Sequence, residues 1–98
     1  GAYKKVAYTA SKFAVRGMTK AAALELGDYG IRVNSIHPGF IRTPMTEHLI
    51  NDELVKIFPL RKAGEPEDVS NLVVFLASDE SSYSTGSEFV IDGGMGAQ

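Results

Sequence analysis

The stretch Ile31-Arg32-Val33-Asn34-Ser35-Ile36, rich in β-branched residues, runs straight into His37-Pro38-Gly39. It reads as a buried strand, Ile31 to Ile36, stopped by a proline and followed by a glycine loop. Before it lies a helix-favouring stretch from about Ser11 to Leu26, strongest at Ala21-Ala22-Ala23-Leu24-Glu25-Leu26. Gly27-Asp28-Tyr29-Gly30 supplies the left-handed cap between the two. Helix, short turn, strand and glycine loop make half of a βαβ unit. In open parallel sheets, ligands bind just beyond the carboxyl ends of the strands. Pro38-Gly39 therefore stands where a cofactor can approach the backbone, although the same pair also serves as a plain structural turn.

The helix opens on Tyr8-Thr9-Ala10-Ser11-Lys12. Positions four apart share a helix face, so Tyr8 and Lys12 can bring a phenol and an ammonium to one volume. A neighbouring cation favours a phenolate, and such a tyrosine can give a proton to a carbonyl oxygen or take one from an alcohol. The same spacing equally suits two amphipathic side chains on a half-exposed face. Tyr8, Ser11, Lys12, Val15, Thr19, Ala22 and Leu26 fall on one side of the helical projection. Ala10, Ala14, Gly17 and Ala21 form a small-residue stripe opposite, suited either to close approach of another subunit's helix or simply to helix propensity. Gly1 to Ala7 is expected to be a short entry to this helix.

Beyond the glycine loop, Phe40 to Gly64 is too long for a bare connection. Ile50, Leu54, Ile57 and Phe58 fall at helical spacing, so one or two short helices are expected. Met45, Leu49, Ile50, Phe58 and Leu60 would give such a segment an apolar underside, as a lid over an apolar substrate or as part of the core. Glu65-Pro66-Glu67-Asp68 starts a second long helix, with Val69, Leu72, Val73, Leu76 and Ala77 as its apolar stripe. Gly86 closes the connection after it. Glu88 to Ile91 is the second strand, and Asp92-Gly93-Gly94 a turn with no helix expected after it. Two strands are too few for a doubly wound sheet, and the chain reads as the back half of a larger α/β domain.

Composition narrows the function classes. A net charge of −2 with interspersed signs offers no electrostatic case for nucleic acid or an anionic membrane. The absence of cysteine excludes disulfides and thiolate metal sites, and neither His37 nor His48 has a partner at metal-ligand spacing. No apolar run has membrane-spanning length, and a cytoplasmic location is the default expectation.

Taken together, Tyr8-Thr9-Ala10-Ser11-Lys12, Ile31 through Gly39, Thr43-Pro44-Met45-Thr46 and Asp92-Gly93-Gly94 resemble the short-chain dehydrogenase/reductase family, in the family's order and across essentially the whole chain. Within it, Val15-Arg16-Gly17-Met18-Thr19-Lys20, Ala23-Leu24-Glu25-Leu26-Gly27 and Ser81-Ser82-Tyr83-Ser84-Thr85-Gly86 are most similar to bacterial hydroxysteroid dehydrogenases of the 3α/20β type. Acyl-carrier-protein reductases share the framework. The resemblance implies the C-terminal part, residues 1–98, of a single doubly wound, Rossmann-like three-layer domain with a parallel sheet and its N-terminal half absent.

The resemblance also implies roles. Tyr8 would be the general acid/base, and Lys12 would bind the nicotinamide ribose hydroxyls and favour the phenolate. Pro38, Gly39 and Ile41 would line the nicotinamide end of the site, with the Ile41 backbone and the Thr43 hydroxyl meeting the carboxamide. The variable substrate loop would span residues 45–60, with Met45 and Leu49 on the substrate. The implied cofactor is NAD, with NADP not excluded, and the substrate a small apolar alcohol or ketone of steroid-like character. A homo-oligomer is implied, tetrameric in the longer form. The family's serine, asparagine and glycine-rich loop have no counterpart here. An isolated chain is thus expected neither to bind dinucleotide tightly nor to turn over, nor to behave as a clean monomer. A non-catalytic assembly module is the second reading.

Overall fold

A computed structural model of the protein describes residues 2–98. The elements are α1 (Ala2–Leu26), β1 (Ser35–Pro38), α2 (Asp52–Val55), α3 (Pro66–Ala77) and β2 (Glu88–Ile91). Single 3-10 turns stand at Gly27–Tyr29, Glu47–Leu49, Asp79–Ser81 and Met95–Ala97. Two compact units divide the chain: the residues up to Ser35 with Ser82–Phe89, and Ile36–Ser81 with Val90–Gln98.

In the first unit, α1 begins earlier than the sequence pattern suggested. Tyr3-Lys4-Lys5-Val6-Ala7 contains no breaker, so helix propagates through it; Gly1 lies outside the described residues. Burial is confined to the C-terminal half of α1, where Thr19 and Ala23 are covered and Ala22 and Leu26 are half-buried. Ala10, Ala14, Gly17 and Ala21 are exposed. The helix ends as expected. Gly30 adopts φ 72° and its N–H bonds to the Gly27 carbonyl at 3.0 Å, while the Ile31 N–H bonds to the Leu26 carbonyl at 3.2 Å.

Residues 31–34 are not strand, contrary to the β-branched pattern. Their polar groups are taken by the segment before β2. The Val33 N–H donates to Thr85 Oγ1 at 3.0 Å, and the Gly86 N–H to the Val33 carbonyl at 2.7 Å. Asn34 Nδ2 donates to the Ser84 carbonyl at 2.9 Å, and Asn34 Oδ1 accepts from the Ser87 N–H at 3.2 Å. An asparagine side chain does here what a ladder would do in a strand. Regular pairing starts only at Ser35, whose N–H reaches the Ser87 carbonyl at 3.0 Å.

β1 and β2 form a two-stranded sheet. The Gly39 N–H donates to the Ile91 carbonyl at 2.9 Å, at the same offset as Ser35 to Ser87, so the strands run parallel. By alternation Pro38 directs its missing N–H away from β2 and costs the ladder nothing. The proline ends β1 without breaking the pair.

In the second unit, the helical residues after the glycine loop are the Glu47–Leu49 turn and α2, and of the expected Ile50, Leu54, Ile57 and Phe58 only Leu54 falls within them. Asn51 caps α2, its Oδ1 accepting from the Leu54 N–H at 2.8 Å. Phe58 is buried with its ring 6.1 Å from that of Phe40, and Ala63 is buried too, so this segment contributes core as well as surface. α3 starts as expected, with the Glu65 N–H held by Asp68 Oδ2 at 2.8 Å. Val69, Leu72 and Leu76 are half-buried, whereas Val73 and Ala77 of the expected stripe are exposed.

The chain ends in a turn built on Asp92. Its Oδ1 accepts from the Gly94 N–H at 2.9 Å and its Oδ2 from the Gly96 N–H at 2.8 Å. Gly93 and Gly94 take positive φ, 65° and 93°. The turn leads into the Met95–Ala97 3-10 turn, where no helical residues were expected. These amides have their own carboxylate and no vacancy for a phosphate.

Candidate active site

The residues singled out in the sequence fall into two groups, one in each unit. In the first unit, Tyr8 and Lys12 sit one turn apart on α1, with the Lys12 Nζ 6.0 Å from the centre of the Tyr8 ring. One turn further on, the Arg16 guanidinium lies 5.4 Å from the Phe13 ring centre and ion-pairs with Glu88, Nε to Oε2 at 2.9 Å. Tyr8, Thr9, Lys12, Phe13 and Arg16 line a shallow depression on the helix. Tyr8 is 67% exposed and nothing among the described residues bonds its hydroxyl, so the phenol is available to an incoming oxygen. Arg16, which ties the Tyr8–Lys12 helix to the start of β2, was not picked out as a site residue. Its signal was its place at the same four-residue step beyond Lys12.

The second unit carries Pro38, Gly39, Ile41, Thr43, Met45 and Leu49. Gly39 sits against Asp92: a Cβ there would lie 2.7 Å from the Asp92 Cβ and 2.8 Å from its Cα. The close backbone approach inferred from this glycine is thus made to the chain itself. Beyond it, the chain doubles against Gly64. The Arg42 N–H donates to the Gly64 carbonyl at 2.7 Å, and the Gly64 N–H to the Phe40 carbonyl at 2.9 Å, around an Ile41–Gly64 bridge. That alternation turns the Ile41 N–H away from Gly64, and no group among the described residues accepts it. An unspent backbone donor at the carboxyl end of a parallel strand suits an amide oxygen.

Thr43 is held by Thr46. The Thr46 hydroxyl donates to the Ile41 carbonyl at 2.7 Å and stands 3.1 Å from the Thr43 hydroxyl. The Thr43 N–H donates to Thr46 Oγ1 at 2.9 Å, and the Thr46 N–H to Thr43 Oγ1 at 3.2 Å. Because the single Thr46 hydroxyl proton goes to Ile41, the Thr43 hydroxyl is the donor of the pair. Thr46 is the residue that sequence reasoning passed over, and its spacing from Thr43, with Pro44 between, is the signal. Met45 is 85% exposed and Leu49 49% exposed, so neither belongs to the core of this unit, whereas Phe58 turns inward.

A cavity of about 260 Å³ opens in the second unit between Phe40, Ile41, Leu60 and Ile91, with Lys62 and Asn71 on its polar side. Of the residues singled out for cofactor binding, only Ile41 reaches its wall.

Comparison with known proteins gives these features a setting. A family model described as enoyl-(acyl carrier protein) reductase matches residues 1–96. The 3-alpha-(or 20-beta)-hydroxysteroid dehydrogenase of Mycobacterium tuberculosis (strain ATCC 25618 / H37Rv) is 67% identical over 89 residues, covering 89% of this chain and 33% of that protein. The cyclohexanol dehydrogenase of Acinetobacter sp. (strain SE19) is 51% identical, over 88% of this chain and 34% of that protein. Among solved structures, 4-hydroxyisoleucine dehydrogenase complexed with NADH superposes with a TM-score of 0.84 at 45% identity, covering 95% of this chain and 40% of that one. The chain thus spans about a third of the length of the curated relatives it matches. The α/β fold, with its parallel strand pair, is that of the matching portion of these proteins.

Proposed function

The chain belongs to the short-chain dehydrogenase/reductase family, and from that premise we propose that it carries the proton-transfer and nicotinamide-facing part of an NAD(P)-dependent oxidoreductase. The reaction interconverts a secondary alcohol and a ketone on an apolar, steroid-like substrate, with NAD favoured over NADP. Residues 1–98 form the C-terminal part of one Rossmann-like domain in this reading: active-site helix, substrate loop 45–60, and C-terminal helix and strand. The observation that carries it is the Tyr8–Lys12 pair, phenol and ammonium on one open face of α1.

Each residue has a role in the proposal. The Tyr8 hydroxyl gives a proton to the carbonyl oxygen in reduction and accepts it in oxidation. Lys12 holds ribose hydroxyls and keeps positive charge beside the phenol. The Ile41 N–H and the Thr43 hydroxyl fit a carboxamide: one is an unspent donor, the other a hydroxyl whose proton can be redirected. Pro38 and Gly39 border the nicotinamide end, and Met45 and Leu49 remain on a loop exposed to substrate. A bound dinucleotide supplies or accepts the hydride; the chain supplies position and a path for the proton. A cytoplasmic homo-oligomer, tetrameric in the longer form, completes the reading.

NADH fluorescence titration of the chain and of its Tyr8→Phe and Lys12→Ala variants tests it. Saturable binding that Lys12→Ala weakens by about 10-fold, the order of a charge-assisted hydrogen bond, is the supporting result. Binding indifferent to both substitutions overturns the assignment of these residues. No binding in any version leaves the enzyme reading to a longer protein and makes the second reading, an assembly module, the better description of these 98 residues. One observation supports that reading: Tyr3, Val6, Phe13, Met18 and Leu24 stand exposed along α1.

A further inference from the structure

Arg42 lies between the two residues assigned to the carboxamide, and its side chain reaches carboxylates on two other segments. Its Nε is 3.0 Å from Glu65 Oε1, at the start of α3, and its Nη1 is 3.6 Å from Glu47 Oε1, at the start of the substrate loop's first turn. Its backbone N–H is fixed to the Gly64 carbonyl, one residue before Glu65. Backbone and guanidinium therefore bind the same short stretch, Gly64-Glu65, while the second nitrogen ion-pairs with Glu47 in the turn that Thr43 and Thr46 close.

We propose that Arg42 is a positioning residue, a clamp that holds the Ile41–Glu47 turn against the start of α3 and so presents the Ile41 N–H and the Thr43 hydroxyl together. The cofactor part of this rests on the function proposed above. The planar guanidinium suits the task because one cation can serve two carboxylates from fixed directions, which an ammonium does less well. All three side chains are well exposed, so the clamp is weak in stability terms and acts on local geometry. The bonds it protects are those inside the turn: the Thr46 N–H to the Thr43 carbonyl at 3.1 Å and the Glu47 N–H to the same carbonyl at 2.9 Å.

Amide hydrogen exchange and NADH titration on the same samples test the proposal, with Arg42→Gln, Arg42→Lys, Glu47→Gln and, as a control, Glu67→Gln. The control removes an exposed carboxylate in the first turn of α3, two residues beyond Glu65 and outside both Arg42 pairs. Exchange at the Thr46 and Glu47 amides is expected to quicken about 2- to 5-fold in Arg42→Gln and Glu47→Gln. NADH affinity falls in step, Arg42→Lys recovers part of both, and the control and the thermal midpoint stay put. Unchanged exchange in both Arg42→Gln and Glu47→Gln overturns the clamp, whatever the chain binds. Quickened exchange in a chain that binds no NADH sustains the clamp and confines the cofactor reading to a longer protein. The two failures are separate.

Discussion

Gly39 and Asp92 leave no room for a side chain between them: a methyl group added at Gly39 would sit 2.7 Å from the Asp92 Cβ and 2.8 Å from its Cα. Neither neighbour is a flexible side-chain end, and both strands are pinned where they meet by the Gly39 N–H on the Ile91 carbonyl. Gly39→Ala is expected to lower unfolding stability by about 1–3 kcal/mol, the usual cost of forced overpacking, measured by urea denaturation.

Gly17 is the opposite case. A Cβ there meets nothing within 4 Å, and the residue lies in the interior of α1. Gly17→Ala should raise stability by about 0.5–1 kcal/mol in the same assay.

Arg61 is the single non-glycine residue with positive φ among those described, at 58°. Its guanidinium also donates to the Lys56 carbonyl. Alanine removes that bond and keeps the strain; glycine removes both. Arg61→Gly should therefore be about 1 kcal/mol more stable than Arg61→Ala, the cost of a left-handed non-glycine residue.

Asp92 holds two amides with two oxygens. Asp92→Ala leaves both donors without their carboxylate and should cost about 1–3 kcal/mol. Asp92→Asn keeps one accepting oxygen and should fall between alanine and wild type. Thermal melts of the three proteins check the order.

The Arg16–Glu88 pair spans α1 and β2 in partly covered surroundings. A double-mutant cycle with Arg16→Ala and Glu88→Gln should return a coupling of about 0.5–1 kcal/mol that shrinks in high salt. Additive single mutants would mean that the contact does not hold α1 in place.

Much of this was legible beforehand, and the exceptions share a cause. Of Ile50, Leu54, Ile57 and Phe58 only Leu54 lies in a helical piece, whereas the Gly30 cap, the Pro66 helix start and β2 follow from local chemistry and stand where the residues indicated. β1 did not, because its start is set by a partner. Ile31 and Val33 have strand character, yet Thr85 and Asn34 divert the backbone bonds that a strand would use. Residues 3–7 read as an entry to α1, yet with no breaker among them the helix runs through. At the candidate site, the Tyr8–Lys12 pairing could be read from spacing, since helix geometry is local. The Thr43–Thr46–Ile41 chain could not, because it depends on how the loop folds back on itself. Met45 and Leu49 were read as one apolar face with Phe58, but burial separates them.

That hydroxyl chain has a direction. The Thr46 hydroxyl gives its one proton to the Ile41 carbonyl 2.7 Å away, which leaves Thr43 as the donor across the 3.1 Å between the two hydroxyls. For an acceptor arriving at Thr43, a single hydrogen must swing about a single C–O bond. The backbone stays still, Thr46 keeps its own donation, and the amides of both threonines keep their acceptors. The loop resembles a latch with one moving atom.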